Sequence, residues 1–134
     1  MAAVPDPAAP DPAAPPARTR SARRQFAATI LVLEAFVVGF AALVAFGLRV
    51  APPSVVWGVA GALALSLVLS SGLLRTAAGY VAGSVLQLAV LATGVAVPMM
   101  FVVGAIFAVL WIVALRLGGR IDRERAERVA AASG

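Results

Sequence analysis

The sequence predicts an all-α protein, a four-transmembrane-helix bundle with its amino and carboxyl termini cytoplasmic. Three observations lead there. The chain has 134 residues, of which 62% are hydrophobic. Its charges are pushed outward: thirteen of the seventeen lie in residues 1–25 and 118–134, so Phe26 to Leu117 carries only Glu34, Arg49, Arg75 and Arg116. A soluble domain is roughly one quarter charged, which excludes a water-soluble fold for this stretch. The third observation is the distribution of arginine, which fits an even number of crossings. With no cysteine and no histidine, the chain also lacks disulfides, thiol nucleophiles, the usual zinc ligands and any side chain that titrates near neutrality unperturbed. No cofactor and no metal is expected.

Residues 1–25 read as a cytoplasmic tail. The first seventeen hold six of the nine prolines together with Asp6 and Asp11, and such a segment buries too little apolar surface to offset the entropy of ordering. A solvated, partly polyproline tail is favoured over a docking segment for a proline-recognising partner. Arg18, Arg20, Arg23 and Arg24 then precede span one, residues 26–48, long enough at about 1.5 Å per residue to cross a hydrocarbon core of about 30 Å. It starts too far in and runs too long for a cleaved signal peptide. After Pro52-Pro53, the stretch from Ser54 to Leu115 divides into three spans of about twenty residues each. Ser70-Ser71-Gly72 and Arg75 mark one break; Gly94 and Pro98 mark the other, since proline suits a first helical turn. The spans are placed at 54–73, 76–94 and 98–117. Residues 118–134 form a charged cytoplasmic tail whose segment 121–132 continues span four as helix, aided by Glu124 with Arg128 and Arg123 with Glu127.

With the amino terminus inside, four spans put ten arginines in the cytoplasm, Arg23, Arg24, Arg75, Arg116 and Arg120 among them, and only Arg49 outside. Three or five spans would move one arginine-rich end across. These arginines are expected at lipid headgroups, which makes the lipid bilayer of a bacterial plasma membrane the first partner. A nucleic-acid site is disfavoured, because the basic residues of the last segment alternate with acids and lack interleaved aromatics. Trp57 and Tyr80 fit interfacial belts, with Trp111 deeper.

Glu34 is the residue that demands an account, since an ionisable group at membrane depth is costly and functional by default. It stands about 12 Å from the inner side, and Gln87 about 16 Å from the same side, depths from which the two could meet, though the sequence does not show that they touch. Ala27, Glu34, Ala41 and Ala45 share a face of span one. Gly79, Gly83, Gln87 and Gly94 form a stripe on span three, with Gly79 and Gly83 a GxxxG pair for close helix contact. Gly58 and Ser66 lie in a slowly winding small-residue stripe on span two that also contains Ala62 and Ser70. Such stripes suit packing within the chain, a homo-oligomer or a membrane-protein partner. For Glu34 two roles compete. One is a proton or cation binding group in coupled transport; the other, favoured, is a protonated donor to Gln87 or a backbone carbonyl that holds helices together. No second carboxylate or histidine offers a relay. Serines such as Ser66 and Ser84 lack a histidine or lysine base to activate them, so catalysis is not expected.

The motifs Leu31-Val32-Leu33-Glu34-Ala35, Gly72-Leu73-Leu74-Arg75, Gly79-Tyr80, Leu86-Gln87, Val97-Pro98, Met100-Phe101, Gly104-Ala105 and Ala114-Leu115-Arg116-Leu117-Gly118 through Arg120-Ile121-Asp122 carry a resemblance. Across most of residues 23–125 the chain resembles an actinobacterial family of small, four-span integral membrane proteins of unknown function, often encoded beside folylpolyglutamate synthase and nucleoside-diphosphate kinase. The resemblance implies the four-span plan and brings no catalytic residues. The family's turn after span two is more basic, with proline and an aromatic, where this chain reads Arg75-Thr76-Ala77-Ala78. A second plan, that of the small multidrug-resistance transporters, also has about four short helices with one essential glutamate in the first. It would make Glu34 a shared site in a homodimer, but the strong arginine bias opposes the dual insertion common in that group. The function expected is that of a non-catalytic accessory or binding component of the membrane, with a small proton-coupled transporter using Glu34 as the alternative.

Overall fold

A computed structural model of the protein describes residues 20–134, so the proline-rich segment expected to be a solvated tail lies almost wholly outside the described residues. The described residues form four α-helices and one short 3-10 turn, with no strand: α1 Ala22–Gly47, α2 Pro53–Leu73, α3 Ala77–Ala92, the 3-10 turn Thr93–Val95, and α4 Met99–Ser133. Each helical stretch, α3 taken together with its 3-10 turn, is long and apolar enough to cross a membrane. The chain is a multi-pass membrane protein.

Each boundary has a local cause. The first helix starts four residues before the expected Phe26, because Ser21 caps it by accepting a hydrogen bond from the Arg24 N–H. Residues 22–25 are therefore helix rather than tail. At its other end Val50 N–H donates to the Ala45 carbonyl and Arg49 N–H to that of Phe46, a Schellman closure whose left-handed residue is usually glycine. Here it is Arg49, at φ 52°. Pro52 and Pro53 open α2, where a proline's missing N–H removes no helical bond. Thr76 caps α3, accepting from Gly79 N–H while its hydroxyl donates to the Leu73 carbonyl. The connection to α4 satisfies its own backbone: Ala96 and Val97 N–H both bond the Thr93 carbonyl, and the Thr93 hydroxyl bonds that of Val90. No neighbouring helix has to supply these partners. The last helix has 35 residues, about 50 Å at 1.5 Å per residue, so it outruns a hydrocarbon core of about 30 Å.

The helices form a ring in chain order: α1 lies against α2 and α4, and α3 against α2 and α4. The interior of the ring is apolar apart from Glu34, Ser70 and Gln87, with Ala27, Leu31, Leu67, Val90, Met100 and Trp111 in its core. Its outer surface is studded with large apolar side chains, Phe36, Phe40, Leu65 and Leu88 among them. In water such a surface would drive aggregation; facing acyl chains it costs nothing.

Candidate functional site

Glu34 and Gln87 stand on helices that sit diagonally across the ring, and their side chains meet at its centre. Glu34 is fully buried on α1, and Gln87 is 4% exposed on α3. The Gln87 amide donates from Nε2 to Glu34 Oε2. The other two oxygens of the pair, Glu34 Oε1 and Gln87 Oε1, are buried and have no hydrogen-bond partner. Both are acceptors, so the pair lacks one donor. A proton on Glu34 would supply it, since a neutral carboxyl carries one O–H donor as well as an acceptor.

Around this pair the small residues act differently from one another. Gly83 receives the indole of Trp111: a Cβ there would come within 2.6 Å of the ring. Trp111 Nε1 also donates to Ser84 Oγ at 3.2 Å, which makes this tryptophan an interior packing group on α4 rather than an anchor. Gly79 is buried against the backbone of Leu73 and Leu74, the turn that enters α3. The Gly79 and Gly83 pair thus admits the backbone at the end of α2 and the ring of Trp111. On α2, Ser70 is buried and Ser66 half-buried, but Gly58 is exposed with nothing near its missing Cβ, so it packs no helix of this bundle.

The bundle end that carries the termini is held by polar contacts. Asp122, on α4, accepts from the backbone N–H of Ala22 at 2.8 Å and of Arg23 at 3.2 Å, and from the Ser21 hydroxyl. It satisfies donors that the start of α1 leaves without helical partners. Burial acts to raise the Asp122 carboxyl, but the bonds from Ser21, Ala22 and Arg23 and the charge of Arg125 outweigh it and hold it below the ordinary aspartate range. Gly118 brings the two backbones together here, since a Cβ would lie 2.7 Å from the Arg23 nitrogen. The Arg23 guanidinium lies 4.5 Å from the centre of the Tyr80 ring, close enough for a cation–π attraction. Arg23 is half-buried against α3, and Arg24 is half-buried as well. Arg75, Arg116 and Arg120 are exposed; Arg120 pairs with Glu124 at 2.9 Å, an ion pair on the helix surface. Sequence named Gly118 and Asp122 only as part of the motif that carries the family resemblance and gave them no role, since nothing local ties them to a residue about one hundred positions away.

At the opposite end, a half-open cavity of about 510 Å³ lies between α1, α2 and the α3–α4 connection, with Val38, Ala42, Ala60, Ala89, Val97 and Met100 among its walls. Neither Glu34 nor Gln87 lines it. Among the described residues no cluster of three or more metal-ligating side chains occurs.

Residues 24–127 match the family described as "protein of unknown function (DUF4233)". The chain belongs to this family. The match takes in all four helices and the Glu34–Gln87 pair, and the family's description assigns it no activity. No curated protein matches the chain, and no solved structure does.

Proposed function

We propose that the protein is a non-catalytic accessory or binding component of the bacterial plasma membrane, with both termini cytoplasmic and Glu34–Gln87 as the polar tie at its centre. The observation that carries this reading is the closure of that pair: a fully buried carboxyl engaged by an amide across the ring, with the apolar cavity at the far end walled by other residues. A coupling carboxylate needs alternating contact with water, and a tie does not. The ten-to-one arginine count supports the orientation. The open glycines of α2, Gly58 and Gly61, support a neighbouring helix there, from a second copy or another membrane protein. The resemblance to an actinobacterial family is consistent with an alanine-rich chain without lysine.

One observation favours the alternative, a small proton-coupled transporter: Glu34 Oε1 and Gln87 Oε1 are both buried without a hydrogen-bond partner, so the Glu34 carboxylate would take up a proton and the Gln87 oxygen would accept from it. Infrared spectroscopy of the protein in lipid, wild type minus Glu34→Gln, separates the two. A protonated-carboxyl band that persists above about pH 9 supports the tie; a band that vanishes between about pH 6 and 8, with proton flux lost in Glu34→Gln, supports transport.

A further inference from the structure

We propose that the cavity beside Arg49 is a phospholipid site: it takes one acyl chain of an anionic phospholipid from the leaflet at the α1–α2 turn, with the lipid phosphate held by Arg49. The space exists because eight of its seventeen lining residues are alanines, too small to fill the interior at this end to the density of a packed core. It runs inward from the bundle surface to Val38, Val97 and Met100, which are otherwise buried. An occupant would thus leave the bulk bilayer and touch the protein core. At about 510 Å³ the cavity falls within the range of about 300–1,000 Å³ typical of ligand sites.

The lining defines the ligand's chemistry. Its single polar side chain, Thr93, has its hydroxyl bonded to the Val90 carbonyl at 2.6 Å. That bond uses the hydroxyl's one donor and leaves only its oxygen to accept, so the lining is poor in partners for water or a polar solute and suits an apolar ligand. A hydrocarbon chain is the apolar ligand that surrounds a membrane helix on every side.

The mouth adds the charge. Val50 and Ala51 line the cavity and follow Arg49 directly. Arg49 is exposed and is the only charged residue between Glu34 and Arg75. Trp57, paired with Phe46 at 6.2 Å between ring centres, stands at the same end, as tryptophans do at headgroup depth. Arginine suits a phosphate because its planar guanidinium can donate two parallel hydrogen bonds. The backbone bears on this as well. Arg49 occupies the left-handed position of the α1 closure, where glycine would sit without strain, and such strain in a non-glycine residue points to a role for its side chain.

The site shares no residue with the Glu34–Gln87 pair, so the two readings fail independently. The test titrates the full-length protein in detergent with phosphatidylglycerol or phosphatidylcholine bearing the same oleoyl chains, and counts retained lipids by native mass spectrometry. Wild type should retain one phosphatidylglycerol about tenfold more tightly than phosphatidylcholine, the scale of one hydrogen bond to a charged group. Arg49→Asn, which keeps a residue tolerant of the left-handed backbone, should remove that preference while leaving the weaker binding of both lipids. Ala60→Leu and Ala89→Leu, which fill the cavity, should lower retention of both lipids about tenfold. Equal retention in the filled variants, a preference that survives Arg49→Asn, or a lipid-free wild type would each overturn the proposal. A measurement on the unaltered chain guards against misfolded variants. In phosphatidylglycerol nanodiscs the methyl group of Met100, 5% exposed at the cavity's inner wall, should show nuclear Overhauser contacts to acyl methylene protons. Contacts from the exposed Met99 alone would mean that no chain enters.

Discussion

The two ends of the bundle are built from the same helices and hold together in different ways. At the end that carries the termini, contacts are specific: Asp122 caps α1, Gly118 meets the Arg23 backbone, Arg23 covers Tyr80, and Trp111 fills the notch at Gly83 while bonding Ser84. At the other end the helices are closed by backbone bonds and prolines, and alanine walls leave a cavity between them. Residue size and the placing of hydrogen-bond donors decide which end is packed and which is open, because in a membrane neither end gains from expelling water.

This contrast is broken most severely by adding bulk at the packed end. Gly118→Val and Gly83→Leu should each cost about 3 kcal/mol or more, since a Cβ at the first meets backbone and at the second an indole held by its own hydrogen bond. Gly47→Ala, at the open end with nothing near its missing Cβ, should instead stabilise by about 0.5–1 kcal/mol. Reversible unfolding in mixed micelles measures all three; equal effects at the two ends would remove the distinction.

The centre should respond next. Gln87→Leu leaves Glu34 without its donor and should cost about 1–3 kcal/mol, as should Glu34→Leu, whereas the double replacement should recover most of the loss because no polar group is then left unpaired. A double variant as unstable as the sum of the singles would mean that the pair is not a tie.

Loss of the Asp122 cap is smaller. Asp122→Ala should cost about 1 kcal/mol and raise the hydrogen-exchange rates of the Ala22 and Arg23 amides. Because the folded Asp122 carboxyl lies below its ordinary value, its contribution is present above the unfolded aspartate range near pH 4 and is lost as pH falls through the folded value. Acidification should therefore shift the Ala22 and Arg23 amide resonances in wild type and leave them unmoved in Asp122→Ala. The smallest effect belongs to Arg120→Ala, below about 0.5 kcal/mol, because the Arg120–Glu124 pair is exposed and screened.

Orientation sharpens the comparison by naming the compartment each end faces. The chain has no cysteine, so Ser54→Cys and Ser133→Cys each supply a single thiol. In intact cells an impermeant maleimide should label the first and spare the second; the reverse pattern would invert the proposed topology.

Much of this was legible in the residues. Four spans followed from run length, and the similar depths of Glu34 and Gln87 from the fixed rise of a helix, which sets depth without knowledge of neighbours; that the two touch came only from the structure. Direction was harder to read. A charge count carries no information about where a side chain turns, and here Arg23 turns onto Tyr80. Gly58 was expected to pack because a small residue facing lipid and one facing a helix look alike in sequence.

By itself, then, the sequence determined the number of crossings, their limits to within a few residues and the depth of each polar group, since all three depend on local pitch and on the cost of charge in hydrocarbon. Only the tertiary structure decided that α1 and α3 face each other across the ring, that Asp122 closes the start of α1, and that space remains beside Val50 and Ala51. These are properties of how four nearly uniform apolar cylinders are rotated against one another. Rotation among lipid-facing helices is set by a few small residues and hydrogen bonds whose partners lie far apart in the chain.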